Sequence, residues 1–156
     1  MLKIIALGNE LYGDDGIGPA VLDELRNRME DTSTDLINAG NDAFILLDYL
    51  LRADTVIIID CARMGKKPGE ILKFRTSQMI PQWISNLISL HGLSVSDVLA
   101  LARELGWSAD CVIIGVEPKS IVFNTGLSEE ISRTVPAIID LVMEEVKKYA
   151  KKSTNH

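Results

Sequence analysis

An α/β fold with a doubly wound, mostly parallel sheet is predicted by three features of the sequence. These are short aliphatic runs without polar alternation, helical patterns between them, and a glycine-rich loop joining the first run to the first helix. Runs of that kind form strands covered on both faces, and their alternation with helices implies right-handed crossovers. The expected architecture is therefore three-layered, with helices on both faces of the sheet.

The runs are residues 2–7, 55–59 and 111–116. The first is too short for a signal-peptide core or a membrane span and ends in a turn signal, so it reads as the opening strand. Ile17, Val21, Leu25 and Met29 recur at every fourth position, with Pro19 near the start where a missing amide costs little. This spacing predicts an amphipathic helix over 17–30. Residues 42–52 carry Phe44, Ile45, Leu47, Leu50 and Leu51, apolar around much of the circumference, and predict a more buried helix. Residues 70–74 follow a Lys-Pro-Gly turn, and their short alternation suits an edge strand, read as antiparallel to the others. Ser94 and Asp97 form a capping pair ahead of Val98, Leu101, Ala102 and Leu105, and Gly106 closes that helix. The last helix is expected from about residue 128 to about residue 150, with Pro136 kinking it or setting back its start. Residues 1–150 then form one domain, and 151–156 are expected to be a disordered tail.

The length of 156 residues suits one domain with a full core, and 47% apolar against 24% charged residues is an ordinary globular balance. A net charge of −6 without a basic stripe argues against nucleic acid or an anionic membrane surface as the partner. Lys147, Lys148, Lys151 and Lys152 cluster where they offset the partial negative charge of a helix end. Two cysteines, Cys61 and Cys111, build no disulfide framework, and a reducing, cytoplasmic compartment is the simplest reading.

Sites in doubly wound sheets form outside the carboxyl ends of the strands, which is where the chemistry-bearing residues fall. The loop Gly8-Asn9-Glu10-Leu11-Tyr12-Gly13-Asp14-Asp15-Gly16 lacks both the dinucleotide spacing and a Walker lysine, and its three carboxylates repel anions. It suits a cation better. Taken alone, Asp14 and Asp15 are better explained as caps of the following helix. Asp60 follows the run 55–59 directly, and an isolated Asp there is by default a turn residue. Two acidic positions converging on one rim change that weighting. His91, in Ser89-Leu90-His91-Gly92-Leu93, is in isolation more often an incidental polar residue. The αβ alternation can nevertheless return its loop to the same rim. Two carboxylates and one imidazole would suit a divalent ion such as nickel, zinc or manganese, with coordination positions left open. Cys61, next to Asp60, points to the opposite face and reads as a buried structural thiol. Glu117, beside Pro118, reads either as a rim residue or as a solvated turn.

The sequence resembles the hydrogenase maturation endopeptidases. The resemblance rests on Gly8-Asn9-x-Leu11-x-x-Asp14-Asp15-Gly16-x-Gly18, the strand ending in Asp60, the Ser-x-His91-Gly-Leu loop and Gly115-x-x-Pro118, in family order over nearly the whole chain. It implies a five-stranded sheet between helices and an aspartic-type endopeptidase that removes the C-terminal extension of a nickel-iron hydrogenase large-subunit precursor. Asp15, Asp60 and His91 match the family's three metal-contacting positions and would be both its catalytic and its metal-binding set. No tightly bound cofactor of its own is implied, since the nickel comes with the substrate and other divalent metals would serve as surrogates. A cytoplasmic, non-membrane protein is expected, with the monomer favoured. One departure stands out: relatives often end the second strand in Asp-Gly-Gly, whereas this chain has Asn38-Ala39-Gly40, and Asn38 cannot ionise. The competing reading is a receiver-like phospho-acceptor signalling domain using Asp14, Asp15 and Asp60. It is disfavoured because the acidic pair lies well beyond the strand end and Glu117-Pro118 stands where a lysine is needed.

Overall fold

The computed structural model describes residues 1–30, 33–77 and 93–155. The three aliphatic runs become β1 (Leu2–Leu7), β3 (Thr55–Cys61) and β5 (Asp110–Val116). They are joined in one sheet by β2 (Thr34–Gly40) and β4 (Ile71–Arg75), in the order β2-β1-β3-β5-β4. All pairings are parallel except that of β4 with β5, so β4 is the expected antiparallel edge strand. β3 runs two residues further than its apolar core. Asp60 pairs opposite Gly115 and Cys61 opposite Val116, which makes Asp60 a strand residue rather than the turn former that an isolated Asp suggests.

Alternation along the buried strands divides the core into two layers. Ile5, Leu7, Val56 and Ile58 pack on one face against Leu46 and Leu50 of α2 (Ala43–Leu51) and Val98 and Ala102 of α3 (Val95–Glu104). Ile4, Ala6, Ile57 and Ile59 pack on the other against Val21 and Leu25 of α1 (Ile17–Arg28) and Ile138 and Val142 of α5 (Val135–Thr154). Each of the Val, Leu and Ile side chains among these, fully withdrawn from water, contributes about 1.5–3 kcal/mol.

The local signals act as the chemistry dictates. Asp42 caps α2, its Oδ1 accepting from Phe44 N and Ile45 N. Ser94 and Asp97 close a reciprocal capping box on α3. Pro136 sets back the last helix, which starts at Val135 after a short α4 (Glu129–Ser132). At its far end α5 continues to Thr154 and takes in most of the segment expected to be disordered. Lysines at 151 and 152 suit the negative end of the helix, and Ser153 Oγ and Thr154 Oγ1 donate to carbonyls of the preceding turn.

The topology fixes where a site can form. From β1 the chain steps outward to β2 and then returns across β1 to β3, so the strand order reverses between β1 and β3. A Cβ on Gly18 would lie 2.5 Å from Leu7 O and 2.9 Å from Ile59 O, so the start of α1 rests directly on the carboxyl ends of those two strands. The short 3-10 turn Gly13–Gly16 is thereby pressed against the end of β3.

Candidate active site

Two of the three expected residues lie at this reversal point. Asp60 is fully buried at the end of β3, its Oδ1 accepting from Cys61 N at 2.7 Å. Asp15 is 3% exposed in the adjoining turn. Its Oδ2 accepts from Asn9 N at 2.8 Å, while its Oδ1 is buried and has no hydrogen-bond partner among the described residues. Burial pushes the Asp15 carboxyl above its ordinary range, and the Asn9 N–H only partly offsets that. There is no room for slack here, since a Cβ on Gly8 would lie 2.1 Å from Asp15 O. His91 lies outside the described residues. Among those described, no three His, Cys, Asp or Glu side chains form a group that could hold a metal ion.

Asp14 does something different from its neighbour. Fully buried, it accepts from Lys119 N (2.9 Å) and Ser120 N (2.8 Å) at Oδ2, from Ser128 Oγ (2.9 Å) at the same oxygen, and from Ser128 N (2.7 Å) at Oδ1. Neither the 3-10 turn nor α1 has a side-chain cap, so the capping explanation of the acidic pair gives way to a long-range tie. That tie joins the glycine-rich loop to the segment after β5. The same two loops meet again where Tyr12 bridges Phe123, their rings 5.4 Å apart. No sequence signal local to Asp14 announces partners more than a hundred residues away.

The remaining rim residues are structural. Cys61 belongs to the α1/α5 layer, on the face opposite to Asp60. Burial raises its thiol far above the ordinary value, and the carboxylates of Asp60, Asp15 and Asp14 raise it further, so no thiolate is available at neutral pH. Glu117 is buried rather than solvated, and its Oε2 accepts from Met64 N at 2.6 Å. Asn38 Oδ1 accepts from Gly40 N at 3.1 Å, holding the end of β2 by a hydrogen bond as an amide can.

The model of the hydrogenase maturation protease family, HycI, matches residues 19–145. The chain belongs to this family. This hydrogenase maturation protease is 30% identical over 149 residues to the hydrogenase 2 maturation protease of Escherichia coli, covering 93% of this chain and 87% of that protein. It is 26% identical over 147 residues to the hydrogenase expression/formation protein HupD of Thiocapsa roseopersicina, covering 92% of this chain and spanning 66% of the length of that relative. The solved structure of the hydrogenase maturating endopeptidase HybD from E. coli matches its fold with a TM-score of 0.85 over 95% of this chain and 93% of that one, at 24% identity. Membership makes the protein an endopeptidase, a hydrolase of peptide bonds. The receiver-like alternative finds no support. Receiver sheets follow the order 2-1-3-4-5, whereas here β5 lies inside an antiparallel β4. No helix among the described residues is long and apolar enough to cross a membrane.

Proposed function

We propose that the protein removes the C-terminal extension of a nickel-iron hydrogenase large-subunit precursor, recognising nickel already held by that substrate through Asp15, Asp60 and His91. The observation that carries this reading is the buried Asp15 Oδ1, an acceptor withdrawn from water with no hydrogen-bond partner among the described residues. An oxygen kept in that condition costs stability unless something binds it in the working state. Asp60 stands on the neighbouring strand end, and carboxylate oxygens with an imidazole suit a divalent nickel ion that arrives with open coordination positions. The protein needs no tightly bound cofactor of its own in this scheme. The two cysteines are free and buried, which agrees with work in a reducing cytoplasm.

Metal recognition acts here by positioning. Fixing the substrate's metal on the rim holds the scissile bond nearby and converts an encounter into an arrangement, an effect worth up to about 7–11 kcal/mol of barrier. Purified protein incubated with nickel-loaded and nickel-free precursor should shorten only the loaded form. Equal cleavage of both would sink metal-directed recognition while leaving peptidase activity in place.

A further inference from the structure

The loop 62–70 follows β3 directly and crosses the carboxyl end of β5, since Cys61 pairs with Val116 on one side of that strand and Ile71 pairs with it on the other. It is stitched down along its length. Ala62 N donates to Val116 O at 2.9 Å, Gly69 N to Glu117 O at 2.8 Å and Glu117 N to Glu70 O at 2.9 Å. The buried Glu117 carboxylate, which metal recognition does not use, holds the middle of the loop by accepting from Met64 N at 2.6 Å. What the loop presents is positive: Arg63, Lys66 and Lys67 are exposed, against one exposed acid, Glu70. Lys66 and Lys67 have no ion pair among the described residues. Each remaining lysine of the chain either holds an ion pair or stands on the C-terminal half of α5, towards its negative end. In a chain of net charge −6, two uncompensated lysines on a fastened loop next to an acidic rim form a distinct pole. The two poles are close. After burial, the largest cause, the Cys61 thiol is raised by Asp60 and Asp15 and lowered by Arg63, so rim and loop act on the same atom.

We infer that this loop is the docking site for a carboxylate of the precursor's C-terminal extension, so that the peptide to be removed is held through Lys66 and Lys67 while the metal holds the part that stays. The inference rests on the peptidase reading above and deepens it. A cationic loop beside a metal-seeking rim sorts the two sides of the scissile bond by charge, nickel to the carboxylates and carboxylate to the lysines. Every C-terminal extension carries at least one such group, its own terminal carboxylate, and acidic side chains add others. The lysines act as point charges that steer and hold without touching the reacting atoms, so their effect belongs to KM rather than to kcat.

The test is steady-state cleavage of nickel-loaded precursor, in low and in raised salt, by the unaltered protein and by the double variant Lys66→Glu/Lys67→Glu. Reversing two exposed charges should raise KM roughly tenfold with kcat unchanged. The KM of the unaltered protein should climb with salt more steeply than that of the variant, because screening removes an attraction in one and a repulsion in the other. Two altered precursors identify the group that is held: one with its terminal carboxylate amidated, the other with the acidic side chains of its extension replaced by amides. The one that loses the contact should show a raised KM with the unaltered protein and a much smaller difference between the two proteins. Unchanged KM in the variant, a fall in its kcat alone, equal salt dependence, or both altered precursors cut like the natural one would overturn the docking site while the peptidase reading stands. Absence of cleavage by the unaltered protein would overturn both.

Discussion

Glu145 of α5 and Asp15 of the rim are almost equally withdrawn from water, at 6% and 3% exposure, yet their surroundings are opposite. Glu145 lies towards the amino end of β5. It takes hydrogen bonds from Lys73 at 2.8 Å, Arg75 at 2.6 Å and Lys148 at 3.2 Å, while Arg75 also reaches Asp110. Asp15 lies at the carboxyl end and has, among the described residues, one backbone N–H donor and an oxygen without a partner. Burial alone would raise both carboxyls. At Glu145 three cationic donors overcome it and bring the value down to about 2, whereas at Asp15 burial prevails. A saturated buried carboxylate secures the fold, and one that the described residues leave unsaturated is held ready for a further partner.

The largest expected effect follows from the unsaturated side. Because folding raises the Asp15 pKa, its ionised form weakens the native state. Its contribution is most favourable at low pH and is lost as pH rises through the folded value. Asp15→Asn should therefore remain folded, with stability equal or higher at neutral pH, while processing falls by on the order of 10²–10³ or more. Asp60→Asn should likewise remain folded and lose processing. Denaturant melts and a precursor-cleavage gel read the two quantities separately. Unfolding of Asp15→Asn would break the comparison, since it would make Asp15 a structural residue like Glu145.

Asp14 sharpens the contrast from one position away. It is as withdrawn from water as Asp15 but fully engaged, and Asp14→Ala would strand the amides of Lys119, Ser120 and Ser128 together with the Ser128 hydroxyl. The expected cost is roughly 3–5 kcal/mol of stability, where its neighbour's isosteric change costs nothing. A thermal or urea melt of Asp14→Ala indistinguishable from that of the unaltered protein would remove Asp14 from the saturated class.

Why the sequence exposed some of this and hid the rest is visible in the same residues. Strands buried on both faces leave aliphatic runs, and β1 falls on its predicted residues without adjustment. The capping box at Ser94 and Asp97 and the displaced helix start at Pro136 were legible because their chemistry is local. The placement of Asp15 and Asp60 on one rim was legible because topology sends the carboxyl ends of strands there. Apart from the family resemblance, which singles out Asp15, nothing local distinguished Asp14 from its neighbour, since what separates them is a set of partners at 119–128 brought in by the fold. The tail was misread because a lysine-rich stretch carries no apolar stripe, and its helicity is inherited from the packed part of α5. The aliphatic run alone stops short of the end of β3 for a related reason. Asp60 has little strand preference, and the ladder to β5 carries it along.

The smallest of the expected effects concerns the saturated carboxylate and takes the form of a pH dependence. Burial would push Glu145 up, but the hydrogen bonds from Lys73, Lys148 and Arg75 outweigh it and lower the value from 4.5 to about 2. A carboxyl depressed on folding stabilises the native state above its unfolded value, and that contribution is lost as pH falls from about 4.5 towards about 2. The full shift corresponds to roughly 3 kcal/mol as an upper bound, since Lys148 is half-exposed and Lys73 and Arg75 are partly solvated. Glu145→Gln should thus be less stable than the unaltered protein at pH 7, by less than that bound. The gap should close as the pH is lowered through the window in which the native carboxylate takes up its proton. Cleavage at neutral pH should be unaffected, because the network lies at the other end of the sheet from the rim. Urea melts of both proteins at pH 7 and at pH 3 measure the gap directly, and a gap of the same size at both would mean that Glu145 contributes through packing rather than through its charge.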